Sequence, residues 1–337
     1  FNHGRKWLAT VDRQLESCVA IDYNGTVFVA GGVGGSKVYA LNGSTGAQLW
    51  EFAIPNTSQD VEWEPHIGPD GTVYFLSSNG RLYALNGSSG VKKWEYNTGN
   101  TGHIGYGKPL IAADGTLYVG NKALNPANGS VKWTTTHGDV VAIGSNGKLF
   151  TFHDSKLKVL NIDGSRDWEF TNPKGNGWFF HNLIIGTDNL VYFGLTHGAE
   201  QEPTRIYAVN TQTRAIVWQQ DLHADADEPF MVVGKNNLIH VVGESRRVYT
   251  FNALTGAKIW EHVGPTTFEF ESVLASADGL VYAMCAQTGL IYGFNGQTGA
   301  VDWEYRGTPL DGAINMDANG TLYFTASHAH TIHAIRT

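Results

Sequence analysis

The chain has 337 residues, enough for one or two domains with a sizeable buried core. Charged residues make up 16% of it and 41 residues are glycine, a composition typical of many short strands joined by tight turns. The formal net charge of -8, without a basic run, argues against a nucleic-acid partner, and no apolar stretch approaches the length of a transmembrane helix.

One short pattern recurs along the chain. It appears as VYALNGSTGAQLWEF from Val38 to Phe52 and as LYALNGSSGVKKWEY from Leu82 to Tyr96. Each copy has an Asn followed seven or eight residues later by a Trp. The seven complete copies have their Asn at Asn42, Asn86, Asn125, Asn161, Asn210, Asn252 and Asn295, and their Trp at Trp50, Trp94, Trp133, Trp168, Trp218, Trp260 and Trp303.

Two half copies stand at the ends of the chain. The N-terminal RKWLATV, with Trp7, matches the Trp half, and the C-terminal TIHAIRT matches the half that precedes it. Together they would complete an eighth repeat. At about 42 residues per repeat, eight repeats fill the chain, which predicts a single domain over residues 1–337.

Each repeat is predicted to form four strands. In the second repeat these are EPHIG, TVYFLS, RLYALN and VKKWEY, separated by turns such as Asp70-Gly71 and Asn79-Gly80. Asn-Gly and Asp-Gly favour tight hairpins because both residues tolerate positive φ. We therefore predict an all-β, eight-bladed β-propeller of four-stranded antiparallel blades, closed by N- and C-terminal strands that share the last blade. Asn-Gly-Ser at Asn42, Asn86 and Asn128 also fits N-linked glycosylation, although turn chemistry alone explains it.

The YALN–TG–W pattern resembles the PQQ-like repeat over the whole chain. That repeat is found in eight-bladed quinoprotein alcohol dehydrogenases and in the outer-membrane assembly lipoprotein that scaffolds barrel insertion. The dehydrogenases resemble one another in a vicinal Cys pair, a Trp under the quinone and acidic calcium ligands. Here Cys18 and Cys285 are far apart, so we expect free thiols and no PQQ.

Propeller ligands commonly bind at the channel mouth, where the inner strands begin. Aligning the repeats by their first turn places several polar and aromatic residues there. The predicted ligand-binding residues are Glu64, His103, Trp178, Glu271, Asp311 and His328. Clustered carboxylates could attract a cation or a polyhydroxyl ligand, and they could equally form a solvated rim. The aromatic residues could stack on sugar rings or fill gaps between blades.

Some of these residues are predicted to lie close together. When residues are counted outward from each hairpin turn, Asp311 lies opposite His328 and His181 lies diagonal to His197. It also groups His137, Asp139 and His153 as candidate ligands of a divalent ion such as Ca²⁺ or Zn²⁺. The alternative is that each His is a separate, hydrogen-bonded rim residue.

Two main functions remain open from the sequence, beside a third possibility, a metal-dependent or quinone enzyme of another kind. The first is a binding or scaffold propeller, secreted or periplasmic, with a protein or glycan ligand at the channel mouth; any signal or anchor would lie outside the given chain. The second is a carbohydrate-active enzyme, most plausibly a polysaccharide lyase. Its candidate catalytic residues are His181, His197, Arg205 and Tyr106, which could supply a base and neutralise a uronate carboxylate. The acidic rim argues against an anionic polymer. We expect a monomer.

Overall fold

The computed structural model describes residues 4–15, 17–32, 36–55, 65–77, 79–99, 108–175, 178–197, 202–223, 226, 228–243, 245–265, 269–307, 309–326 and 330–336. Among these residues, no helix is long and apolar enough to cross a membrane.

The described residues form eight four-stranded sheets. Blade 1 contains β2 (Ala20–Ile21), β3 (Thr26–Gly31), β4 (Lys37–Asn42) and β5 (Gln48–Ala53); blade 2 contains β6 (His66–Ile67), β7 (Thr72–Ser77), β8 (Arg81–Asn86) and β9 (Lys92–Asn97). Blade 3 contains β10 (Leu110–Ile111), β11 (Leu117–Val119), β12 (Lys122–Leu124) and β13 (Val131–Thr134); blade 4 contains β14 (Asp139–Ile143), β15 (Leu149–His153), β16 (Lys156–Leu160) and β17 (Arg166–Thr171). Blade 5 contains β18 (Trp178–Ile185), β19 (Leu190–His197), β20 (Arg205–Asn210) and β21 (Ala215–Asp221); blade 6 contains β22 (Phe230–Val233), β23 (Leu238–Val242), β24 (Arg247–Asn252) and β25 (Lys258–Val263). Blade 7 contains β26 (Ser272–Ala275), β27 (Leu280–Cys285), β28 (Leu290–Asn295) and β29 (Val301–Arg306); blade 8 contains β30 (Leu310–Met316), β31 (Thr321–Ala326), β32 (Thr331–Arg336) and β1 (Arg5–Thr10). Two short 3-10 turns lie at Lys235–Asn237 and Ala286–Thr288.

Blade 8 is built from both ends of the chain. Its strand order is β1-β32-β31-β30, whereas the strands of each other blade follow chain order. β1 pairs antiparallel with β32, with Trp7 opposite Ala334 and Thr10 opposite Thr331. This confirms the predicted eight-bladed propeller and its shared last blade.

The turns form where the sequence predicted them. At Asp70-Gly71, Gly71 has a φ of 74°, and the Asp70 carboxylate accepts the Thr72 N–H at 3.0 Å. Asn42 has the same role at the next turn, because its side-chain oxygen accepts the N–H groups of Ser44 (2.9 Å) and Thr45 (3.1 Å). These side chains satisfy backbone donors that the strands leave unpaired.

The chain divides into two compact units, each described by itself below. The first comprises Phe152–Lys158 and Trp168–Pro309, together with Phe1; the second comprises Asn2–Thr151, Val159–Asp167 and Leu310–Thr337. A core cluster of the first unit includes Tyr192, Trp218 and Phe251, and one of the second includes Trp7, Tyr39 and Tyr323. Cys18 and Cys285 are both free thiols, as predicted.

Within each unit, the repeated Trp joins one blade to the next. Trp50 of blade 1 donates its indole N–H to the Gly87 carbonyl of blade 2 at 2.8 Å. Its ring lies against Gly90, where an added Cβ would come within 2.7 Å of Trp50 Cε3. The same indole-to-carbonyl bond joins Trp7 to Gly43, Trp94 to Pro126, Trp133 to Ile162, Trp218 to Ala253 and Trp260 to Gly296. The repeated Trp and the turn that holds the repeated Gly therefore form the contact between neighbouring blades.

Blade 5 departs from this pattern. Arg214 occupies the position of Gly90 and keeps a positive φ of 60°. Its guanidinium lies over the Trp168 ring of blade 4, 5.7 Å from the centroid. A cation–π contact thus replaces the close glycine packing at this junction.

Candidate functional site

We call the mouth end of a blade the end where its first strand begins and its second and third strands are joined. Not all of the predicted site residues belong to the described part of the chain. Glu64, His103, Tyr106 and His328 lie outside the described residues. The mouth end of blade 5, in the first unit, holds four of the nine described ones: Trp178, His181, His197 and Arg205.

His181 and His197 lie on opposite faces of blade 5. His181 in β18 is opposite Gly194, whereas His197 at the end of β19 is opposite Trp178. His197 shares a face with Trp178, because residues opposite each other on paired strands lie on the same face. Side chains alternate between faces along a strand, so His181, three residues after Trp178, lies on the other face. The predicted diagonal contact is wrong because the register shifts between His181 and Ile184.

The side chain of His181 is buried against the neighbouring strand of blade 5. It is 8% exposed, and its Nε2 lies 2.7 Å from Thr196 Oγ1. Thr196 is adjacent to His197 in sequence but on the face that His181 occupies. This hydrogen bond satisfies one ring nitrogen of His181 inside the blade.

Trp178 is covered by two neighbours. Lys174 Nζ lies 4.7 Å from the centroid of the Trp178 ring, and the His197 ring lies 5.1 Å from it, tilted by 52°. The Trp178 side chain is consequently buried. The arrangement fits the gap-filling alternative better than an open platform for a sugar ring.

Arg205 is held by an ion pair across the blade. Its Nε and Nη2 both donate to the Asp221 carboxylate, the Nη2 contact at 2.7 Å. The Asp221 carboxylate raises the pKa of the guanidinium above its usual range. Blades 1 and 2 also have ion pairs between their third and fourth strands, Lys37–Glu51 at 2.8 Å and Arg81–Glu95 at 2.7 Å, but there the acid lies two residues earlier in the fourth strand. The charge of Arg205 is therefore compensated within its own blade.

Asp311 lies on the first strand of blade 8, and Glu271 immediately precedes the first strand of blade 7. Asp311 in β30 is opposite Thr325, so its predicted pairing with His328 is wrong; a register shift between Asp311 and Asn315 is the cause. Glu271 is half-buried just before β26, and its backbone N–H donates to the Met284 carbonyl at 3.0 Å.

The predicted metal ligands have separate surroundings. The backbone of His137 bonds with the hydroxyls of Thr135 and Thr151. The Asp139 carboxylate lies beside Gly120, where an added Cβ would come within 3.3 Å of Oδ1. Exposed His153 lies 3.3 Å from the Asp154 carboxylate, which also accepts from Lys158. Over the described ranges, no group of three or more His, Cys, Asp or Glu side chains could hold a metal ion, and this includes His137, Asp139 and His153.

The quinone site implied by the family resemblance does not fit these residues. Cys285 is fully buried in β27, and Cys18 is half-buried near β30, where its sulfur accepts the Ala313 N–H at 2.8 Å. No vicinal cysteine pair exists to contact a quinone.

Two exposed aromatic side chains remain at the mouth ends of the first unit. Phe179 in β18 is 58% exposed, and Phe230, the first residue of β22, is 39% exposed. The two strands belong to adjacent blades and are joined by a hydrogen bond from the Met231 N–H to Asn182 Oδ1 at 3.3 Å. We call Phe179 and Phe230 the mouth aromatic pair.

Sequence reasoning missed three of the residues that define this region: Lys174, Asp221 and Phe230. Asp221 is opposite Arg205, but a register shift between Ala208 and Val209 places it one residue further from the turn than counting from the turn would predict. Lys174 lies in a segment without repeat pattern, and its position over Trp178 had no sequence signal. Phe230 stands out only once the start of β22 is known.

Comparisons with known proteins place the chain in a family. A family model described as Outer membrane protein assembly factor BamB matches residues 3–140 and 153–321, which is most of the chain. The chain belongs to this family. No curated protein matches it significantly.

Solved structures share the fold of this BamB family member. BamB from Moraxella catarrhalis is 16% identical, covering 96% of this chain and 83% of that one, with a TM-score of 0.50. The quinohemoprotein alcohol dehydrogenase ADHIIG from Pseudomonas putida HK5 is 13% identical, covering 99% and 76%, with a TM-score of 0.69. Sqt1 from Saccharomyces cerevisiae is 13% identical, covering 99% of both chains, with a TM-score of 0.72. At such low identities these likenesses show the fold alone.

Proposed function

We propose that this protein is a binding or scaffold propeller that works outside the cytoplasm, with a protein ligand that contacts the mouth aromatic pair. The observation that carries the proposal is the exposure of Phe179 and Phe230 on adjacent first strands. Aromatic side chains are enriched in protein interfaces and often dominate their binding energy. The family description, which names a factor in outer membrane protein assembly, supports a protein ligand and an extracytoplasmic location.

The described candidate catalytic residues do not favour the lyase alternative. A lyase needs a base and a cationic neutraliser on the same side of one substrate. His181 and His197 occupy opposite faces of blade 5, and the charge of Arg205 is compensated by Asp221. We therefore propose no lyase reaction for these three residues.

Site-specific crosslinking tests the proposal. A photoreactive phenylalanine analogue placed at Phe179 should crosslink to a protein in the source cells, and mass spectrometry would identify that protein. The same analogue at Leu49, which is 54% exposed at the edge of blade 1, is the matched control. The purified partner should then bind the parent protein, as a monomer by light scattering, in an isothermal titration.

Variants at the aromatic pair decide the outcome. Phe179→Ala and Phe230→Ala should each weaken the titrated binding at least about tenfold, because buried aromatic anchors commonly contribute 2 kcal/mol or more. Leu49→Ala should leave it unchanged. Equal affinity of all three variants would overturn the proposed surface, and binding to a glycan array in place of a protein would overturn the proposed ligand class.

A further inference from the structure

The second unit contains a depression at the other ends of blades 1, 2 and 3. It lies where β2, β6 and β10, the first strands of these blades, finish and turn into the second strands. The cavity has a volume of about 360 Å³, and its lining includes Ile21, Asp22, Tyr23, Ile67, Pro69 and Ile111. We call it the three-isoleucine depression. Its residues are distinct in sequence from the mouth aromatic pair.

The floor of the depression is apolar. Ile21, Ile67 and Ile111 occupy the same position in three successive repeats, and each is half-buried. Each packs partly into a blade core and leaves the rest of its side chain in the depression. Three blades therefore contribute one continuous apolar surface, which a bulky side chain could cover.

Tyr23 stands at the edge of this surface with 87% of its area exposed. Blades 2 and 3 have Pro69 and Ala113 at the corresponding turn position, so no feature of the repeat requires an aromatic residue there. A tyrosine ring offers a large contact area and loses little conformational entropy when it is covered. Its placement suits contact with a ligand and does not contribute to packing within the blade.

The same edge carries a negative charge. Asp22 Oδ1 accepts the N–H groups of Asn24 (2.9 Å) and Thr26 (2.7 Å), and within the described ranges the Asp22 carboxylate forms no ion pair. Blade 2 differs, because it has Gly68 at the position of Asp22, and the carboxylate of its nearby Asp70, at the position of Asn24, lies 3.2 Å from Lys93. Blade 1 has Leu49 at the position of Lys93. The charge of Asp22 therefore remains available to a cationic group.

We propose that the three-isoleucine depression binds a segment of a partner protein in which a bulky apolar side chain is adjacent to an Arg or Lys. The apolar side chain covers the isoleucines and contacts Tyr23, and the cation lies beside Asp22. A volume near the lower end of known ligand pockets fits one large side chain and its neighbours. This inference goes beyond the proposed function, because it concerns a second surface that could bind whether or not the mouth aromatic pair does.

Fluorescence polarisation with defined peptides tests it. The probe is a fluorescein-labelled octapeptide of Gly and Ser with Trp-Arg at its centre. Matched peptides carry Trp-Glu or Ala-Arg there. We expect the Trp-Arg probe to bind at least tenfold more tightly than either matched peptide. Equal binding of all three, or binding of none, would overturn the proposal.

Two variants test whether the peptide binds at the three-isoleucine depression. Asp22→Asn keeps the oxygen that caps the turn and removes the charge, so it should abolish the preference for Trp-Arg over Trp-Glu. Tyr23→Ala removes an exposed ring and should weaken both Trp peptides at least threefold, with an unchanged melting temperature. Asp163→Asn changes an exposed turn carboxylate that likewise accepts a backbone N–H, that of Ser165, and is the matched control. If the control alters the preference as much as Asp22→Asn does, the attraction is one of net charge and the assigned site is wrong.

A further variant separates this inference from the proposed function. Phe179→Ala should leave the Trp-Arg affinity unchanged while it weakens binding of the crosslinked partner. Loss of Trp-Arg binding in Phe179→Ala would contradict the three-isoleucine depression as the site. Loss of only the partner's binding would support both surfaces.

Discussion

His240 and His333 are buried within the sheets, and burial favours the neutral form of each ring. His240 is 1% exposed, and its Nδ1 lies 2.7 Å from Thr250 Oγ1. His333 is 7% exposed and stacks on Phe324 at 5.1 Å. The pKa of each is lowered from 6.5 to about 4, by burial for His240 and by burial together with the charge of Arg5 for His333. Both positions carry Tyr in several other repeats, so the fold does not require a histidine at either position.

These pKa values predict that the folded protein becomes less stable as the pH falls. The unfolded chain binds protons at His240 and His333 more readily than the folded protein does. Their contribution to the free energy of unfolding is therefore fully present above about pH 6.5 and is lost as the pH falls towards about 4. Each histidine should lower the folding equilibrium constant by up to about tenfold per pH unit in this window. Urea denaturation at pH 7.5, 6.0 and 5.0 measures the loss.

Replacement of one histidine isolates its contribution to the pH dependence of the unfolding free energy. His333→Phe preserves the stacking on Phe324 and should make the decline below pH 6.5 shallower. His153→Gln changes an exposed histidine and should reproduce the parent profile. A decline in His333→Phe that parallels the parent would show that His333 does not titrate in this window.

At the scale of elements, the junctions between blades depend on glycines with positive φ. Gly90 has a φ of 71° and packs against the Trp50 ring, whereas Gly71 in the same blade has a φ of 74° and open space around its missing Cβ. Gly71→Ala should cost about 1 kcal/mol of unfolding free energy, from the left-handed backbone alone. Gly90→Ala should cost about 2–4 kcal/mol, because overpacking against Trp50 is added. Equal costs in urea denaturation would show that the tryptophan ring moves aside freely.

The same elements show how far sequence reasoning reaches. The Asn-Gly turns, the strand order and the split blade follow from short, local signals repeated along the chain. The pairings of His181 and Asp311 did not follow, because each first strand contains a register shift. A single extra residue in a strand changes every partner beyond it and moves side chains to the other face. Turn residues fix the end of a hairpin but carry no information about such a shift, so the fold was predictable and these two pairings were not.

At the scale of the whole molecule, stability should depend on closure of blade 8 by β1. Trp7 is 8% exposed, donates to the Gly43 carbonyl at 2.8 Å and lies 5.8 Å from the Tyr323 ring. Removal of residues 1–12 should lower the melting temperature, since loss of the Trp7 side chain alone costs about 3–5 kcal/mol. A synthetic peptide of residues 1–12 should restore stability with increasing concentration. The peptide with Trp7→Ala should not, and a truncated chain that melts like the parent would contradict this role of β1.

The neighbouring positions of β1 and β32 also determine where the ends of the chain lie. The Arg336 N–H lies 3.4 Å from the Gly4 carbonyl, so residues near the two ends are adjacent on the outer side of one sheet. A linker of a few residues could join them, and the chain could be reopened between β5 and β6, a circular permutation that preserves every strand pairing. In such a permutant, blade 8 would be continuous in sequence. For the same reason, two domains fused to opposite ends of this chain would emerge side by side.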